Sequence, residues 1–452
     1  MLAAAVYNMM DFRAMHGRSR AFDVYETTYR HEHHAFGRVP IVIHLGDFLQ
    51  LSPTASLGLI ADVNEKNEDG SYKYPEPPTL EVQHAIQVFG RISLVFELKG
   101  TKRFEAGDPL IEFLACMRTG RRFPEPVWAA FAHTFAADND GSGRTDPRHA
   151  EPNFRDGYGM AIYWEALVRW MSQRARRGAR EAQVPLVFLQ AVDECNTIDG
   201  DAARRLLNVP NPHNTGHIHG VLPVYVGMEV RFTAKVNSQL GLVQEQRATV
   251  LSFLFHEEDQ LRYNACRPGE LFRPRYRPAG IWLDVHGFNE SPIWEEALPL
   301  VNGPARCAVG TRPTWGIMLY RAVEQEFKWR SSDVHTVRRT GFPLTHACFL
   351  TSTASQGQTL RRGTTIDCAR LQPQGAQGLR DDQWWLHLYV MLSRVTCMRN
   401  LLLLRPPTRD FLERGPPSSV REALKQFEQK SDNTAKAAVA LADKMRLPLP
   451  AH

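Results

Sequence analysis

Val39-Pro-Ile-Val-Ile-His-Leu45 runs straight into Gly46-Asp-Phe-Leu-Gln-Leu-Ser-Pro53. An unbroken apolar run of this length, closed by Gly-Asp, predicts a strand over residues 39–45 buried on both faces of a parallel sheet. Open α/β sheets bind ligands just outside the carboxyl ends of their strands, so the loop 46–53 falls where chemistry would be done. Asp47 brings a carboxylate there and Gln50 an amide that could donate to a terminal phosphate or orient an attacking water. Taken alone, the octapeptide also allows an ordinary strand-to-loop turn.

The same alternation of strand and helix continues outward. Residues 81–98 join helical spacing to the strand-like Ile92-Ser-Leu-Val-Phe96, and 108–119 read as a helix opened by Asp108-Pro109. The polar, Gly- and Asp-rich stretch 136–158 is the expected linker. A helix over 159–183 ends in the basic run Arg174, Arg176, Arg177, Arg180, and an apolar run 185–192 follows as a strand. From 222 to 300 the pattern shortens to β-like runs such as Val230-Arg-Phe232 and Ile281-Trp-Leu-Asp-Val285. Residues 343–355 return to a buried strand, 381–395 to a helix and Asn400-Leu-Leu-Leu-Leu404 to a strand, and Ser419-Val-Arg-Glu422 forms a capping box that opens a terminal helix. This grammar predicts an α/β fold.

With 452 residues, 43% of them apolar, the chain has room for two or three domains with proper cores. The 54 Lys and Arg against 49 Asp and Glu leave a net charge of +5, which suits a polyanionic partner without demanding one. Seven cysteines are scattered and never spaced C-x-x-C, so neither a disulfide framework nor a thiolate zinc site is expected, and a reducing intracellular compartment fits. Met1 to Met10 has no basic n-region and reads as the start of an amphipathic helix; no apolar run reaches the roughly 18–20 residues of a membrane span.

Five segments, in order, resemble the motifs of Pif-type (petite integration frequency) ATP-dependent DNA helicases of superfamily one. Gly46–Pro53 resembles the third motif, with Ser52 in place of the first proline. Glu97-Leu-Lys-Gly-Thr-Lys-Arg103 and the helix after Asp108 resemble the fourth, and Gly227-Met-Glu-Val-Arg-Phe232 with Gly241-Leu-Val243 resembles the β segment between motifs, with Gln244-Glu245 where the family has Asn-Gly. Thr351-Ser-Thr-Ala-Ser-Gln-Gly-Gln-Thr359 resembles the fifth, with Thr353 and Ala354 where the family has His and Lys, and Tyr389-Val-Met-Leu-Ser-Arg394-Val395 resembles the sixth. The resemblance implies an incomplete first RecA-like lobe over 1–135 and a complete second one over 159–225 and 340–405. A small β-rich insertion would occupy 226–339, and the tail 406–452 matches nothing in the family.

What the resemblance implies about function is a motor that unwinds DNA 5′ to 3′ at the expense of ATP, of the class used in repair, recombination and telomere maintenance. Arg394 and Arg103 would reach the γ-phosphate, Gln50 would couple hydrolysis to DNA, and Gly46, Asp47 and Gly357 would line the nucleotide. Ser355, Gln356, Thr359 and Thr353 would meet single-stranded or forked DNA. ATP and Mg²⁺ are the implied cofactors, yet the chain contains no Gly-Lys dipeptide, so the G-x-x-x-x-G-K-[ST] loop that cradles phosphates does not occur in it. The expectation is a chain that starts past that loop, which a preceding segment or a separate polypeptide would supply.

Leu186-Val-Phe-Leu-Gln-Ala-Val-Asp193-Glu194 mimics a magnesium-binding strand end, but it follows the third motif where the family's acidic pair precedes it. It is expected instead to be the first strand of the second lobe, and no metal site is expected. His31, His33 and His34 lack an i, i+4 pair and read as a polar loop rather than as ligands. The arginines at 174–180 either track a nucleic-acid backbone or solvate a helix end. The alternative to a motor is a catalytically inactive single-stranded DNA-binding remnant, or a scaffold that has kept the fold alone.

Overall fold

The computed structural model describes residues 49–51, 89, 92, 94–97, 102–137, 146–195, 200–237, 242–288, 316–330, 334–370 and 379–445. The strand expected at 39–45, the helix expected to start at Met1 to Met10, Gly46, Asp47 and the histidines at 31–34 lie outside them. The helices are α1 (Pro109–Thr119), α2 (Glu125–Ala132), α3 (Trp164–Glu181), α4 (Gly200–Leu207), α5 (Glu257–Asn264), α6 (Asp381–Leu392), α7 (Arg409–Glu413) and α8 (Ser418–Met445). The strands are β1 (Tyr158–Ala161), β2 (Leu186–Gln190), β3 (Val192–Glu194), β4 (Val221–Val224), β5 (Glu229–Phe232), β6 (Arg247–Leu254), β7 (Leu271–Phe272) and β8 (Gly280–Val285). They continue with β9 (Ile317–Tyr320), β10 (Val323–Arg330), β11 (Val334–Gly341), β12 (Leu344–His346), β13 (Phe349–Thr351), β14 (Thr364–Asp367) and β15 (Leu401–Leu404). The chain is mixed α/β and falls into two compact units, one of residues 1–129, 379–393 and 407–452, the other of 130–378 and 394–406.

In the first unit, α1 begins where Asp108 accepts the N–H of Leu110 at 2.9 Å and Pro109 occupies the first turn, and it ends at Gly120 in the left-handed region. Leu110, Phe113 and Met117 are fully buried, Phe113 stacks on Phe123 at 4.6 Å, and the indole of Trp385 on α6 donates to the carbonyl of Leu412 on α7. Of the stretch expected as a strand at 92–96, the described residues 92 and 94–96 are in no strand. Its backbone is held by α8: Val95 N–H donates to Thr434 Oγ1 at 3.1 Å, Glu97 N–H to Ser431 Oγ at 3.3 Å, and Lys430 Nζ to the carbonyl of Ile92 at 2.8 Å. The tail that resembles nothing in the family is therefore an integral clasp of this unit.

The second unit is built on the parallel sheet β13-β1-β14-β15. β1, its second strand, lies inside the segment expected to begin a helix at 159. Tyr158-Gly-Met-Ala161 is too short to show a period, and it is a strand because Gly159 lets β13 and α3 close in; a Cβ there would sit 2.6 Å from Phe349 and 2.9 Å from Trp170. Helix α3 then returns antiparallel to β1, burying Trp164, Leu167 and Met171 against Phe349.

Two expected boundaries need correction. The linker at 136–158 carries regular structure: a 3-10 turn at Pro147–Ala150, a helical turn at Pro152–Arg155 and the start of β1. Arg148 fastens it, donating to the carbonyls of His133 and Phe135 at 2.7 Å each and to Asp146 at 2.7 Å, and that hydrogen bond holds the Asp146 carboxyl well below the usual carboxylate range. Residues 186–190 do not join the parallel sheet either. β2 pairs antiparallel with β4 and shares a separate three-stranded sheet with β7. Strands β5, β6, β8 and β9 form an antiparallel sheet in the order β12-β5-β6-β8-β9, which residues 344–346 join from beyond the expected bounds 226–339, and β10 and β11 form a hairpin that extends from β3. The expected strand 343–355 is thus two strands in two sheets, broken at Ala347-Cys348.

Candidate functional site

All four strands of the parallel sheet run the same way, so Ala161, Thr351, Asp367 and Leu404 end on one edge. From β13 the chain turns through Ser352–Thr359, and Ser352 N–H donates to the carbonyl of Ala161 across the edge at 3.2 Å. The Thr351 hydroxyl accepts from Ala354 N–H at 3.2 Å, and the buried Ser355 hydroxyl donates back to Ser352 O at 2.8 Å. Ser355 therefore holds the turn from inside. Thr353, Gly357 and Thr359 are exposed. Gly357 sits at φ +79° with open space around it, a conformation that favours glycine. Gln356 is half-buried and its Nε2 is buried without a hydrogen-bond acceptor, a costly state that an acceptor arriving from outside would relieve.

The loop has a brace that sequence reasoning missed. Arg247, on β6 of the insertion, donates to Gln358 Oε1 at 3.3 Å and to the Tyr158 hydroxyl at 3.2 Å, with its guanidinium 5.4 Å over the Tyr158 ring. Gln358 in turn donates to Ala354 O at 3.0 Å. Nothing in the local sequence around Arg247 marks it, since its partners lie 89 and 111 residues away.

The chain just after the loop 351–359 meets the segment 389–395 at the backbone. Leu360 N–H donates to Arg394 O at 2.9 Å, in a parallel bridge between Leu360 and Val395. Arg394 is 4% exposed, so it is not an arginine displayed on a helix surface. In the other unit, Arg103 Nη1 donates to the carbonyl of Ser393 at 2.8 Å, which brings Arg103 to the end of α6. Gln50 is exposed.

Asp193 and Glu194 do not fit a magnesium ion. Asp193 takes a bidentate ion pair from the fully buried Arg339, 2.6 Å to Nε and 2.7 Å to Nη2, and Arg339 also donates to the carbonyls of Ile218 and Leu206 at 3.1 Å. Glu194 is exposed and faces Arg338. At the carboxyl edge Asp367 is likewise engaged, by Arg405 and by the N–H of Ala369 at 3.0 Å. Neither carboxylate group, as placed, offers a free ligand set or a triphosphate cradle.

Behind the edge, His219 and His346 line a small cavity of about 30 Å³ with Met171 and Met228. Burial holds each imidazole down to about 3, so both are neutral.

The fold and edge define a mixed α/β protein with a parallel sheet whose polar loops gather at one end. No family model matches the chain, and no curated protein matches it. Among solved structures it is similar to the Pif1 helicase from Candida albicans, with 16% identity over 90% of this chain and 72% of that one, at a TM-score of 0.45. It is also similar to a Bacteroides Pif1 helicase in complex with ADP-AlF3 and single-stranded DNA, with 14% identity over 90% and 70% of the two chains and a TM-score of 0.47. For the Pif1 helicases described at forked double-stranded DNA the figures are 13%, 75%, 55% and 0.39.

Proposed function

We propose that this chain carries the DNA-gripping and γ-phosphate-sensing parts of a nucleotide-driven DNA motor of the Pif type. The supporting observation is the pairing of Leu360 N–H with Arg394 O at 2.9 Å, which joins the Ser-Gln-Gly loop to the arginine of the sixth motif segment. In this reading Thr353, Gln356 and Thr359 meet the backbone of single-stranded DNA, Gln356 gaining the acceptor that its Nε2 lacks. Gly357 lets the strand approach. Arg394 and Arg103 answer to the terminal phosphate of ATP, and Gln50 orients water or phosphate. ATP and its Mg²⁺ supply the phosphoryl chemistry when bound, and their main cradle is contributed from outside these residues.

Single-strand binding by the 452-residue chain, weakened several-fold by Thr353→Ala with Thr359→Ala, is the expected result in a fluorescence anisotropy titration. Unchanged affinity in that double variant removes the loop from the reading. A second reading, a DNA-binding protein without hydrolysis, is favoured by the enclosure of Arg394, only 4% exposed. ATP turnover by the chain alone, abolished in Arg394→Ala, defeats it.

A further inference from the structure

The carboxyl edge is one end of the second unit; the other end carries a different surface. Helix α3 leaves β1 at Trp164 and returns to the start of that strand, where Arg174 and Arg177 pair with Asp156 at 3.5 and 3.6 Å. Sixteen residues at 1.5 Å each separate Trp164 from Arg180, so the last turn of α3 lies roughly 24 Å from the carboxyl edge.

Of the basic run on this helix, Arg174 and Arg177 are thus structural, whereas Arg176 and Arg180 remain exposed. Arg180 lies against the turn 266–270, because a Cβ at Gly269 would stand 2.5 Å from its Cγ. That turn opens the segment Arg267-Pro-Gly-Glu-Leu-Phe-Arg-Pro-Arg-Tyr-Arg277, in which Arg267, Arg275 and Arg277 are also exposed. Among the described residues none of these five arginines makes an ion pair.

The acids nearby are mostly engaged. Glu181 faces Arg177 at 3.7 Å, Asp259 takes Arg262 at 2.5 Å and Tyr276 N–H at 2.8 Å, and Glu270 takes the N–H of Arg267 at 2.8 Å. Glu257 and Glu258 sit on the first turn of α5, where the helix dipole itself favours them. Beside the arginines, the ring of Tyr276 is 46% exposed and lies 4.4 Å from the exposed ring of His256.

We propose that Arg176, Arg180, Arg267, Arg275 and Arg277, with the Tyr276–His256 ring pair, form a second nucleic-acid contact that takes a single strand. Guanidinium groups bind phosphate through paired N–H donors, and an exposed aromatic platform stacks a base of any sequence. Five like charges without ion-pair partners, two on α3 and three on the segment that starts beside Arg180, repel one another, and a polyanion relieves that repulsion. The contact does not depend on nucleotide hydrolysis, and its part at Arg180 and the turn 266–270 lies away from the carboxyl edge that bears the Ser-Gln-Gly loop.

The test is nucleotide-free anisotropy with the whole chain and a labelled oligothymidine, titrated between about 0.05 and 0.3 M salt, where each phosphate contact to a single strand adds about 0.7 to the salt slope. The variant Arg180→Ala, Arg267→Ala, Arg275→Ala, Arg277→Ala is expected to lower that slope by roughly 3 at an unchanged melting temperature, and the four corresponding lysine substitutions to keep it. Tyr276→Ala is expected to weaken binding on the order of ten-fold with the slope intact. An unchanged slope in a folded quadruple-alanine variant overturns the proposal. So does equal binding of heparin with no effect of Tyr276→Ala, which would mean adhesion of any polyanion, and so does equal tightness for a duplex with and without Tyr276. If Thr353→Ala with Thr359→Ala weakens binding while the strip variants do not, the loop is the contact and the strip is not.

Discussion

Asp193→Asn separates two readings of the acidic pair that ends β3. In the structure Asp193 neutralises Arg339, whose side chain is fully buried, while Asp193 itself is 8% exposed. Removing the carboxylate charge leaves a guanidinium enclosed with two backbone carbonyls and the face of Phe327, 5.5 Å away, as its remaining partners. Breaking a buried pair from one side costs about 3–5 kcal/mol. At about 2–4 °C per kcal/mol for a unit of this size, the melting temperature should fall by roughly 6–20 °C. Arg339→Met combined with Asp193→Leu removes the stranded charge but leaves the carbonyls of Ile218 and Leu206 without a donor, about 1–3 kcal/mol each, so the double variant should also stay below wild type. Differential scanning calorimetry reads both. A melting temperature for Asp193→Asn within about 1 °C of wild type, together with loss of Mg²⁺ binding by calorimetric titration, would refute the reasoning and make Asp193 a metal ligand.

Three further outcomes are expected. His219 and His346 have folded values of about 3, far below the 6.5 of the unfolded chain, so the unfolded state binds more protons between those limits; stability is full above pH 6.5 and declines as pH falls toward 3. By pH 5 each should have cost about 2 kcal/mol, visible as a falling urea midpoint that flattens in His219→Gln with His346→Gln. Gly159→Ala drives a methyl to within 2.6 Å of Phe349 and should destabilise the parallel sheet by about 1–3 kcal/mol in the same assay. Thr434→Val deprives Val95 N–H of its acceptor; a loss of about 0.5–1.5 kcal/mol and faster proteolysis at 92–97 are expected, and unchanged cleavage would deny the clasp.

The residues alone determined the class of the fold, the helix opened by Asp108-Pro109 and short strands such as 230–232 and 281–285. Each is encoded locally, by a cap, a turn residue or a run of side chains of one period. Tertiary structure decided the rest. β1 is a strand because Phe349 and Trp170 close on Gly159; residues 186–190 leave the parallel sheet because β4 claims their edge; and α8 takes the N–H groups of Val95 and Glu97. Arg339, Arg247 and Thr434 act on partners 89 to 339 residues distant. Contacts of that span leave no period or spacing in the chain, because each is fixed only when the packed elements bring its two halves together.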